Sequence, residues 1–197
     1  MKLVDSINRL KKTEISKIVN QKYKEFKKLG TRPKDEIFKE LCFCLLTANY
    51  NAVGAIKIQN KINNGFLTLS EKQLAKKLTK LGHRFPNARA KYIYEARKKK
   101  DILELDRDWL VKNIKGLGMK ESSHFLRNVG FDNCAIIDFH IIDLLKKHGI
   151  IKRPKILTKI KYLEIEEKLR QIGNKTNLTL SELDMYLWYL ETGKILK

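Results

Sequence analysis

Two residues of this chain have the type and setting for covalent chemistry at an electrophilic carbon: Lys120 and Asp138. Lys120 lies in LVKNIKGLGMKESSHFLRNVG, residues 110–130, just after Gly116-Leu117-Gly118. The apolar periodicity puts it in the first turn of a helix beginning at about Met119. There the helix dipole disfavours a cation, and partial desolvation favours the uncharged amine. Such a lysine adds little to stability and is well placed to act as an amine nucleophile. Asp138 stands where the buried run Ala135-Ile136-Ile137 gives way to another helix. It is expected to cap that helix, and a carboxylate facing a cleft can also stabilise positive charge developing on a reacting group.

The elements that must position this pair are helical. Apolar residues recur at intervals of three and four, as in Ile37, Phe38, Leu41, Cys42, Leu45 and Leu46, and again in Tyr162, Ile165, Leu169 and Ile172. Similar patterns predict helices over about 3–28, 51–63, 70–80, 87–99, 106–114, 119–129, 139–148 and 181–191. No sustained period-two alternation bounded by turn residues occurs, so strands are not expected. Gly30, Gly65, Gly82, Gly130, Gly149 and Gly173 are read as helix stops, Pro33, Pro86 and Pro154 as starts or loops, and Asp106 and Ser181 as N-caps. The fold class predicted is all-α: two helical subdomains, interleaved in one continuous unit over 1–197, with a DNA-binding cleft between them.

The hairpin within about 106–130 is a helix-hairpin-helix pattern. Gly116 and Gly118 allow a sharp turn, and the N–H groups opening the second helix, from Gly116, Gly118 and Met119, can face a phosphate oxygen. That contact positions the protein on a backbone and reads no sequence. Taken alone, a G-x-G more often merely joins two packed helices.

Composition points the same way. A formal net charge of +20 on 197 residues makes the surface repel itself unless a polyanion offsets it, so nucleic acid leads the candidate partners, with plain solubility charge the alternative. Cys42, Cys44 and Cys134 have neither zinc nor iron–sulfur spacing and read as small core residues in a reducing compartment. The amino terminus does not look like a secretory signal, and no uncharged apolar stretch approaches the ~18 residues of a membrane span. The expected product is a cytoplasmic protein, nucleoid-associated when bound to DNA, without a membrane partner and monomeric. No metal or cofactor is required.

Together these residues carry a resemblance. GLGMKESSHFLRNVG followed by AIIDFHI resembles the helix-hairpin-helix DNA glycosylase superfamily. Adding KELCFCLLTANY, GFLTL, LGHRFPNARAKYI and the terminal LSELDMYLWYLETGKILK, the chain resembles the archaeal-type 8-oxoguanine DNA glycosylase/AP lyases, the second Ogg class. The resemblance implies that Lys120 is the catalytic lysine, that Asp138 is the catalytic aspartate, and that the terminal residue, Lys197, helps to distinguish oxidised from normal guanine. An acceptor at the terminus would take the N7–H that 8-oxoguanine has and guanine lacks. Trp188 and Phe85 are then candidates to stack on the flipped base, although packing alone explains Trp188 on the helix of Leu183, Tyr186, Leu187 and Leu190. The family usually has Arg after the aspartate, where this chain has Phe139.

The implied activity is a bifunctional one: excision of 8-oxoguanine from duplex DNA through a lysine Schiff base, then β-elimination at the abasic site. Two rivals stay open at this stage, a helix-hairpin-helix DNA-binding module without catalysis and a glycosylase for another oxidised base. His124 and His140 have no nucleophile beside them in sequence and read as packed or surface residues. Arg127 and Asn128 are read as residues lining the DNA side of the second helix, with simple helical exposure as the alternative.

Overall fold

The computed structural model describes residues 2–196 and resolves into two compact helical units. One comprises the residues up to Lys28 together with those from Gly130 on, and the other is Leu29–Val129. No strand occurs among the described residues.

The Leu29–Val129 unit is built around α3 (Lys34–Thr47), which starts from Pro33 and buries Phe38 and every residue from Glu40 to Thr47. A helix apolar nearly all round must be enclosed, and here α4 (Ala52–Ile62), α7 (Pro86–Arg97) and α9 (Met119–Asn128) pack on α3. The one-turn helix α5 (Gly65–Thr68) leads to α6 (Glu71–Lys80), which lies along α7; α8 (Arg107–Asn113) packs on α9. Glu40, buried within α3, accepts from Asn128 Nδ2 at 2.6 Å and from Gln59 Nε2 at 3.2 Å, tying the far end of α9 to the central helix.

The other unit contains α1 (Lys2–Leu10), α2 (Ile15–Gly30, whose last two residues belong to the Leu29–Val129 unit), α10 (Phe139–Lys147), α11 (Lys159–Thr176) and α12 (Leu180–Thr192). α10 and α11 pack on α12, and α1 touches both α11 and α12. Where the chain re-enters this unit, Lys27 Nζ donates to Gly130 O at 2.6 Å and to Asp132 Oδ2 at 2.5 Å. Asp132 Oδ2 also accepts from Tyr23 Oη at 3.2 Å.

Several local expectations need correction. The single helix expected over 3–28 is two: the main chain tightens to i→i+3 bonds, Lys12 N to Arg9 O and Thr13 N to Leu10 O, and Thr13 Oγ1 adds a bond to Leu10 O at 2.8 Å and accepts from Ile15 N at 3.3 Å. Gly65 opens α5; α4 is stopped by Asn63, at φ 42°. Gly173 lies inside α11, where a Cβ would meet Leu178 O at 2.7 Å, and Asn177 ends that helix at φ 52°. The N-cap of α12 is Thr179, in a reciprocal capping box with Glu182, while Ser181 is buried inside the helix. Asp106 is an N-cap as read, accepting from Trp109 N. Cys42, Cys44 and Cys134 are buried free thiols, and no helix among the described residues is long and apolar enough to cross a membrane.

Candidate active site

The hairpin is made by α8, a turn and α9. Gly116 sits at φ +96°, and a Cβ there would stand 2.4 Å from Tyr92 Cδ2 and 3.2 Å from Leu45 Cδ2. Both the turn and its close seating against α3 and α7 therefore demand glycine. Gly118 differs. Its φ of −97° and ψ of −171° suit any residue, and a Cβ would make only ordinary contact with Glu121 Oε2 at 3.5 Å. Gly118 is also the N-cap of α9, and no side chain caps that helix. Nothing among the described residues explains its lack of a side chain. An exposed helix mouth whose cap carries no side chain is what a phosphate approaching the backbone would require.

Lys120 is the second residue of α9, half-buried, with 27% of its side chain exposed. Behind it everything from Ser122 to Asn128 is buried, which holds the helix mouth on a rigid base. Lys120 Nζ lies 3.7 Å from Glu121 Oε1. Glu121 also acts on Arg89, which is buried, donates to Ala48 O at 2.5 Å, and holds its guanidinium 5.6 Å from the Tyr92 ring centroid and 6.0 Å from that of Phe85. Burial lowers the Arg89 guanidinium from its ordinary pKa, opposed by Tyr92 and the Glu121 carboxylate. Phe85 is exposed at 37%, the N-cap of α7, with the Arg84 guanidinium 5.0 Å from its ring centroid.

Asp138 is delivered by a different device. The chain from Cys134 to Ile137 is buried and pinned by two side chains of α11. Ala135 N donates to Glu166 Oε2 at 2.7 Å, Tyr162 Oη donates to Ala135 O at 2.6 Å, and Ile137 N donates to Tyr162 Oη at 3.1 Å. Asp138 then caps α10, its Oδ1 accepting from Ile141 N at 3.1 Å. That bond uses Oδ1 alone, and no hydrogen bond to Oδ2 occurs among the described residues. Trp188, half-buried on α12, meets His140 edge-on at 5.1 Å.

Lys120, Glu121, Phe85, Gly116, Gly118 and Met119 thus belong to the Leu29–Val129 unit, and Asp138 and Trp188 to the other. Lys197 lies outside the described residues. Arg127 and Asn128 do not line an outer face: both are buried, because α9 is enclosed along its length. His124 is buried edge-on to Phe43 at 5.6 Å, and His140 is half-buried beside Phe139. Glu121, Tyr162 and Glu166 escaped the sequence reading. Glu121 was accessible as the neighbour of Lys120 in the first turn, whereas the other two reach Asp138 only through the folding of α11.

The all-helical fold with its α8–turn–α9 hairpin is that of the helix-hairpin-helix DNA glycosylases. A non-covalent endonuclease III–DNA complex shares the fold at 17% identity and TM-score 0.62, over 89% of this chain and 84% of that one. Residues 19–178 match the 8-oxoguanine DNA glycosylase family, and the chain belongs to it. A relative from Korarchaeum cryptofilum, an 8-oxoguanine DNA glycosylase/AP lyase, is 50% identical over 99% of this chain and 98% of its own. The crystal structure of the Methanocaldococcus jannaschii 8-oxoguanine glycosylase/lyase with a 15mer DNA containing 8-oxoguanine aligns at TM-score 0.96 and 52% identity, covering both chains fully.

Proposed function

We propose that this chain excises 8-oxoguanine from duplex DNA and cleaves the strand at the resulting site. The observation that carries this reading is Lys120: a half-buried amine at the mouth of a helix with no side-chain cap, in a chain aligned end to end with glycosylase/lyases. The damaged nucleotide must leave the stack, because C1′ is shielded inside a duplex. N–H groups at the hairpin, from Gly116, Gly118 and Met119, hold the phosphate backbone. Lys120 Nζ forms a bond to C1′ as the bond from C1′ to the base breaks. The base departs with that electron pair and takes up a proton, while Asp138 stabilises the positive charge on the sugar. The C1′–O4′ bond then breaks as the nitrogen gives up a proton and O4′ takes one, leaving a Schiff base on Lys120. Loss of a proton from C2′ expels the 3′ phosphate, and water then hydrolyses the imine and frees the lysine.

Base recognition is assigned to the carboxyl-terminal Lys197, whose terminal oxygen accepts the N7–H of 8-oxoguanine, with Trp188 and Phe85 stacking on the extruded base. Guanine would set its own N7 lone pair against that acceptor, at about 1–3 kcal/mol. Helical subdomains interleaved in one glycosylase unit, acting as a monomer, complete the reading. The test is excision and strand cleavage on duplexes bearing 8-oxoguanine opposite each base, with a variant lacking Lys197 in parallel. The truncated variant is expected to lose preference for the oxidised base; equal discrimination would remove the terminus from recognition.

A further inference from the structure

Phe139 is not accounted for by the chemistry above. It is the first residue of α10, directly after Asp138, and 60% of it is exposed, more than any other phenylalanine among the described residues. An apolar ring so exposed adds little to a core or to a helix start, yet it is not loosely held. Its ring lies 3.9 Å from the His140 imidazole at an interplanar angle of 35°, and His140 in turn meets Trp188 edge-on at 5.1 Å and 86°. One face of the phenyl is thus backed by a ring that is itself backed by α12, and the rest is open. Such an arrangement presents a flat, uncharged π surface at a fixed place beside Asp138.

We propose that Phe139 is a stacking platform for a nucleobase left unstacked at the lesion. The inference rests on the DNA-repair reading above and names a contact that reading does not contain. Extruding one nucleotide exposes the faces of bases that it had covered, and an aromatic ring can restore that stacking whatever the base, since every base has a π face. The chemistry also sets a signature. A neutral ring releases no counterions, so its contribution to affinity is independent of salt, unlike that of the lysines and arginines that hold phosphates.

Binding of the full chain to two duplexes tests this, one intact and one carrying a stable tetrahydrofuran abasic analogue, which requires no chemistry. Phe139→Ala is expected to weaken abasic-duplex binding roughly tenfold and to leave intact-duplex binding within about twofold. The loss is expected to be the same from about 50 to about 200 mM salt. Phe139→Tyr, which keeps the ring, is expected to bind like the wild type, and thermal melting checks that both variants fold. Equal weakening on both duplexes, or none on the abasic one, overturns the proposal, the first because it marks a packing role. Failure of the underlying reading shows separately: a wild-type protein that leaves 8-oxoguanine in place can still display the Phe139 effect on abasic DNA.

Discussion

Lys120 Nζ and Glu121 Oε1 stand 3.7 Å apart on the opening turn of α9. A carboxylate at that position faces the same polyanion as the lysine, and the two demands on it conflict. It interacts favourably with the helix dipole and holds the amine in place, while its charge opposes the approach of phosphate. Glu121→Gln is therefore expected to tighten DNA binding while slowing covalent adduct formation in single turnover by roughly tenfold, as loss of positioning does. Tighter binding without slower adduct formation would reduce Glu121 to a surface charge.

The two hairpin glycines separate fold from binding. Gly116→Ala places a side chain at φ +96° and against Tyr92, so it is expected to destabilise by about 1–3 kcal/mol in thermal or chemical unfolding. Gly118→Ala meets neither obstacle and is expected to stay within about 0.5 kcal/mol of the wild type while losing roughly tenfold in DNA affinity. A Gly118→Ala protein that binds DNA normally would show that no backbone group approaches there.

Tyr162→Phe removes one hydroxyl that serves two buried main-chain groups, Ala135 O and Ile137 N. Orphaning buried polar groups costs about 1–3 kcal/mol each. The variant should melt earlier and turn over more slowly, since the segment it loosens carries Asp138, while affinity for undamaged duplex stays near the wild-type value. Unchanged turnover would show that Asp138 is held by its helix cap alone.

Acid should weaken the fold through His83. Its Nε2 lies 3.0 Å from Leu46 O and its Nδ1 accepts from Phe85 N at 3.0 Å, so both ring nitrogens are committed in the neutral form. Burial lowers its pKa from the ordinary value of 6.5, against the Leu46 carbonyl and with the help of Arg89. The folded state resists a proton that the unfolded state accepts, so this stability is present above the unfolded value and lost as pH falls below it toward the folded value. The melting temperature at about pH 5 should lie below that at about pH 7.5, and His83→Gln should flatten the difference. An equal pH dependence in that variant would place the sensitivity elsewhere, for example in His148, whose pKa partial burial also lowers.

What could be read from the residues alone was local. Lys120 and Asp138 announced themselves because a glycine pair and a cap position are short-range signals, and both stand where the periodicity placed them. The break at Thr13 was not legible, since the amphipathic pattern continues through it while the main chain tightens into a turn that the Thr13 hydroxyl supports. Gly173 is read as a stop only until Leu178 O is known to pack against it. Arg127 and Asn128 failed for a tertiary reason: α9 is enclosed by its neighbours, so its polar residues are buried with partners such as Glu40. Tyr162 and Glu166 act on a segment distant in sequence, and no local pattern marks them.

Borohydride reduction tests the central claim most directly. Incubated with duplex DNA containing 8-oxoguanine, the wild-type protein is expected to become covalently fixed to the damaged strand, and Lys120→Gln to give neither adduct nor strand cleavage while remaining folded. A wild-type chain that cannot be trapped, or a Lys120→Gln chain that still is, would contradict the assignment of Lys120 as the nucleophile.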